Sequence, residues 1–91
     1  MALGLVQFIE ETWLRLFREN FPDRAQGMSD AAVLALRRDA QVSRRMVELY
    51  IEENAEVLRR AGVAVTDANL YLAHFLGPGG AIAVNRAPGA P

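Results

Sequence analysis

The sequence predicts an all-α protein, a small bundle of about four helices. Apolar residues recur at i, i+3, i+4 and i+7 along most of the chain, and capping or helix-stopping residues bracket those stretches. No stretch alternates with the period of two that a half-buried strand needs. At 91 residues, 52% hydrophobic and 23% charged, the chain has the composition of one small globular domain and not of a disordered segment. A helical domain is expected over 1–84, with a flexible tail over 85–91.

The first helix is expected from Leu3 to Phe21. Leu5, Phe8, Ile9, Thr12, Trp13, Leu16 and Phe17 form its apolar stripe, and Glu10, Glu11, Arg15 and Arg18 lie opposite. Pro22 and the following Asp23-Arg24-Ala25-Gln26-Gly27 break that pattern. Ser29 can cap a short second helix reaching about Arg38, with Asp30 in its first turn favoured by the helix dipole. A third helix is expected from about Ala40 to Ala61, burying Met46, Val47, Tyr50, Ile51, Asn54 and Leu58 and stopping at Gly62. Thr66 can cap a fourth, Asp67 to about Leu76. It is apolar nearly all round, which predicts a central, buried position. Gly77-Pro78-Gly79-Gly80 should end it, leaving at most a short helical turn over Ala81 to Val84 and a frayed tail from Arg86.

Composition excludes several functions. There is no cysteine, so no disulfide or thiolate metal site can form, and a single histidine leaves no cluster with metal-ligand spacing. No cofactor motif is visible; the glycines at 77–80 follow a helix, whereas a phosphate loop precedes one. The formal net charge of −1 gives no general attraction to nucleic acid or anionic membrane. Arg37, Arg38, Arg44 and Arg45 are the one basic concentration, but acidic residues follow closely and no aromatics interleave; a solvated helix face explains them better. No apolar run approaches the ~20 residues that span a bilayer, and no signal peptide is visible.

Three segments carry a resemblance. Gly4-Leu5-Val6-Gln7-Phe8-Ile9, followed by Thr12-Trp13, is similar to a Gly-Leu-x-Gln-(Ile/Phe) motif with its downstream Thr-(Ala/Trp). Asp39 with Tyr50-Ile51 resembles an Asp-Pro…Tyr-Leu segment, with Ala40 and Ser43 in place of the usual Pro and Asn. Ala73-His74-Phe75-Leu76-Gly77-Pro78-Gly79 lines up with Ala-Tyr-Asn-x-Gly-Pro-Gly. In this order and spacing they resemble the soluble lytic transglycosylase family, and the chain would correspond to the C-terminal part of that lysozyme-like domain.

The resemblance implies a peptidoglycan glycan strand as partner and the cell envelope or periplasm as location. In the family one glutamate protonates the bond between N-acetylmuramic acid and N-acetylglucosamine, and the muramyl C6 hydroxyl closes a 1,6-anhydro ring. That glutamate lies some fifteen to twenty residues before the Gly-Leu-x-Gln motif, whereas only Met1, Ala2 and Leu3 precede Gly4 here. No catalytic residue is therefore expected in this chain, which should be inactive alone. Glu10, Glu11, Glu48, Glu52, Glu53 and Glu56 read as members of charged helix faces and not as substitutes. A second copy or a partner chain could cover the missing front segment.

The substrate-binding candidates are Gln7, Phe8, Tyr71 and His74. The resemblance places Gln7 on the wall of the glycan groove, where its amide suits an N-acetyl group; an exposed helix-start residue is the plainer reading. Phe8 and Trp13 can stack on sugars, though aromatics at helical spacing more often belong to the core. His74 stands where the family has tyrosine, and the plainer reading is a buried histidine bonded to backbone. Tyr71, one turn earlier, can supply the phenol instead, and Phe75 replaces the family's asparagine. Asn54 on the third helix either satisfies a neighbouring backbone group, the preferred reading, or faces the groove. A non-enzymatic helical module binding glycan or protein is the alternative function.

Overall fold

The computed structural model describes residues 2–89, with side chains described from Ile9 onward. The elements run α1 (Ala2–Asn20), α2 (Pro22–Ala25), α3 (Asp30–Ala35), a 3-10 turn (Leu36–Arg38), α4 (Ala40–Arg60) and α5 (Asp67–Arg86). The fold is all-α, with no strand among the described residues. The chain divides into two compact units, residues 1–48 and 49–91, and the division falls inside α4.

In the first unit, α1 contributes buried Leu16 and Phe17. Its neighbours are short helices that depend on their ends. Pro22 starts α2, where its missing N–H costs nothing because a first-turn N–H has no helical acceptor. Ser29 caps α3 as its position predicts, its Oγ accepting from the Ala32 N–H at 3.1 Å. A short helix leaves most of its carbonyls without helical donors, and side chains supply some. The Trp13 indole N–H donates to the Val33 carbonyl at 2.9 Å, and Arg37 Nε donates to Leu34 O at 3.0 Å. Trp13 thereby joins α1 to α3 over fully buried Val33. Arg18 adds a second tie, reaching Asp30 Oδ1 at 2.7 Å and the Met28 carbonyl at 3.3 Å.

Asp39 starts α4. Its Oδ1 accepts from the Gln41 and Val42 N–H groups at 2.9 and 3.1 Å, which gives this residue of the second motif segment a helix-capping role. The other end of α4 closes at Gly62, whose φ of 73° takes the chain left-handed. The Gly62 N–H donates to Arg59 O and the Val63 N–H to Leu58 O, the paired bonds that satisfy the last carbonyls of a helix. Val63 packs on the cluster that holds Leu58, the apolar contact that accompanies this kind of ending.

The face that α4 buries differs from expectation. Val47 and Ile51, assigned inward, are 47% and 42% exposed, while Val42, Met46, Leu49, Asn54 and Leu58 are buried. The two halves of the helix belong to different units, so different neighbours decide which face is covered in each.

In the second unit, Thr66 caps α5 by accepting the Asn69 N–H at 3.1 Å. The helix does break at Gly77, with φ 75° and ψ 161°, but it does not end there. Residues 78–86 form a further helical segment, because Pro78 has the φ of a first helical residue and needs no N–H partner there. Asn85 and Arg86 hold that segment back onto the unit. Asn85 Nδ2 donates to Asn69 Oδ1 at 2.8 Å, and Arg86 donates to the Ala61 carbonyl at 3.1 Å. The expected end at Gly77 is thus replaced by a kink.

The expected central burial of this helix is also corrected. Its buried residues are small ones at a spacing of four, Ala73, Gly77 and Ala81, and Ala73 and Ala81 gather with Leu58. Tyr71, Phe75 and Leu76 are 67%, 58% and 53% exposed. A helix that is apolar all round has no preferred inward face by hydrophobicity; here small side chains take the buried line, Leu70, Leu72 and Ile82 flank it, and Tyr71, Phe75 and Leu76 turn outward.

Candidate functional site

The outward large residues of α5 form the most distinctive surface of the second unit. Tyr71 and Phe75 are one turn apart, and their rings meet at 4.9 Å with an interplanar angle of 48°. Phe75 also meets the imidazole of His74 edge-on, at 5.5 Å and 77°. His74 in turn lies 5.8 Å from the Tyr50 ring of α4, again edge-on. The result is an unbroken run of four rings, Tyr71–Phe75–His74–Tyr50, in which neighbours touch at the tilted and edge-to-face angles aromatic pairs prefer.

Tyr50 anchors the run. It is half-buried, and its hydroxyl donates to the Ala73 carbonyl at 3.4 Å, close to the point where α5 breaks. Pro78 has no N–H, so the helix cannot supply the donor that would otherwise serve the carbonyl of His74. The Tyr50 phenol donates one residue earlier, to the Ala73 carbonyl, in the turn that leads into the break.

Of the four substrate-binding candidates, Tyr71 and His74 lie in this run. They do not touch directly; Phe75 joins them. His74 is exposed, so the plain reading of a buried histidine bonded to backbone does not describe it. Gln7 and Phe8 lie outside the residues whose side chains are described. Trp13 is a packing residue of the first unit, tied to Val33. Sequence reasoning missed two members. Phe75 registered as a loss of hydrogen-bonding capacity, although its i, i+4 spacing to Tyr71 is a signal for ring contact. Tyr50 registered as core, and nothing in the local sequence reports its approach to His74.

Asn54 is buried, as the stripe predicts, at 1% exposed; its Oδ1 has no hydrogen-bond donor among the described residues, so any bond to a neighbouring backbone group falls to its Nδ2.

The carboxylates occupy charged faces. Glu10 lies 3.7 Å from Arg37, Glu48 is 3.2 Å from Arg45, and Glu56 takes Arg59 at 2.6 Å and Arg60 at 3.0 Å. Hydrogen bonds from Arg60, then from Arg59, hold the Glu56 carboxyl below its ordinary pKa. A general acid for glycosidic cleavage needs the opposite displacement. Among the described residues no three histidine or acidic side chains gather to hold a metal ion, and no helix is long and apolar enough to cross a membrane.

No protein-family model and no solved structure matches the chain. The family resemblance therefore rests on its three motif segments. Two of them meet in space, since Tyr50 belongs to the second and His74 to the third.

In the first unit, a shallow depression is lined by Ala31, Leu34, Ala35, Arg37 and Arg38. All five belong to α3 and the turn after it, and Arg37 is engaged by Glu10 and the Leu34 carbonyl. No side chains from other elements converge there to define a ligand.

Proposed function

We propose that the chain is a glycan-binding part of a lytic-transglycosylase-like domain, one that engages peptidoglycan strands in the cell envelope and does not cleave them alone. The observation that carries this reading is the run of rings Tyr71, Phe75 and His74, exposed on α5 and backed by half-buried Tyr50, at the segment that resembles Ala-Tyr-Asn-x-Gly-Pro-Gly. Exposed aromatic faces suit the apolar faces of pyranose rings, while the Tyr71 phenol and the His74 imidazole add hydrogen-bonding tips for hydroxyl and N-acetyl groups. None of the four side chains is a carboxylic acid able to protonate a glycosidic oxygen at neutral pH. The lack of the acid that the family uses is what supports binding without cleavage.

Co-sedimentation with purified peptidoglycan tests the binding, and analysis of the soluble products for 1,6-anhydromuropeptides tests the lack of cleavage. The reading expects retention and no such product. Absence of retention would remove the glycan as ligand, and anhydromuropeptides released by the pure chain would overturn the claim of inactivity.

A second reading has its own support. Leu76 is 53% exposed and Ile51 42%, and such aliphatic surface suits a protein partner or a second copy better than it suits a sugar. Light scattering after size exclusion distinguishes this reading. A concentration-dependent dimer that Leu76→Glu returns to monomer supports it, and a monomer at all concentrations removes self-association.

A further inference from the structure

We draw no further inference here: the strongest candidate, the exposed aromatic and aliphatic surface of α5 around Tyr71, Phe75 and Leu76, belongs to the site already described, and nothing in the structure shows what else covers it.

Discussion

Alanine at three neighbouring glycines should act in opposite directions, because the break in α5 asks something different of each. At Gly77 the backbone has φ 75° and ψ 161°, a region that only glycine occupies at low cost, so Gly77→Ala imposes about 1–3 kcal/mol of strain. At Gly79 nothing lies within 4 Å of a Cβ and the residue is helical. There the substitution should stabilise by up to about 1 kcal/mol through helix propensity and a less flexible unfolded chain. At Gly80 a new Cβ would sit 2.6 Å from Leu76 Cβ. In an unbroken helix residues four apart keep their Cβ atoms ~5–6 Å apart, so this closeness is a product of the kink. Leu76 Cβ is fixed to the backbone and cannot swing aside, and overpacking of this kind costs about 1–3 kcal/mol, partly offset by propensity.

The expected order of stability is therefore Gly79→Ala above the parent, with Gly77→Ala and Gly80→Ala below it. Thermal unfolding followed by far-UV circular dichroism resolves this, since 1 kcal/mol moves the midpoint of a domain this size by roughly 4–8 °C. A Gly77→Ala protein as stable as Gly79→Ala would mean that α5 runs straight through residue 77. That result would refute the kink and the placement of everything beyond it.

Other substitutions test the remaining supports. Asn54→Leu removes a buried acceptor without a donor, a gain of up to about 2 kcal/mol, but its two methyls are bulkier than the amide and overpacking costs about 1–3 kcal/mol, so urea unfolding should show a stability within about 2 kcal/mol of the parent; a larger loss would mean that the rest of the Asn54 amide makes bonds on which the fold depends. Ser29→Ala and Thr66→Ala should each cost about 1 kcal/mol, and the glycine substitutions only a few tenths, if the hydroxyls act as caps. Equal losses for alanine and glycine would contradict that role. The Glu56 carboxyl is held below its ordinary value by Arg60 and Arg59, so its contribution is present at neutral pH and lost as pH falls through the lowered value. Glu56→Gln should therefore weaken the helix at pH 7 and make no difference well below the carboxylate range. The effect is small because the group is exposed, and a difference that persists in acid would point to packing instead.

The parts of the fold legible in the sequence are those set by local chemistry. Ser29, Thr66 and Gly62 each bring their own capping or turning geometry, and the structure uses them where the sequence places them. Asp39 carried the same signal and is the missed cap of α4. What was not legible depends on neighbours. Val47 and Ile51 fit an apolar stripe as well as Val42 and Leu49 do, and only the surrounding helices decide which pair is covered. In α5 the apolar pattern has no direction, and the choice fell to Ala73, Gly77 and Ala81, whose small size allows close approach. Pro78 after Gly77 suggests a stop, although a proline after a break is also a good first residue of the next helix. The candidate site shows the same division. Tyr71 and His74 could be singled out by spacing and resemblance, and the i, i+4 spacing of Phe75 to Tyr71 signals their contact, but the Tyr50 ring that extends the run appears only in three dimensions.

The central claim is that the ring surface of α5 takes a glycan strand. Its most direct test is a binding titration of the intact chain against purified peptidoglycan, alongside a Tyr71→Ala/Phe75→Ala variant checked by circular dichroism for an unchanged fold. Both side chains are more than half exposed, so their removal should leave stability nearly intact. Losing the apolar contact of two rings is worth about 1–2 kcal/mol after the costs of association, a five- to thirty-fold weaker affinity. That loss in a folded variant is the predicted result. Equal binding by the two proteins would contradict the account.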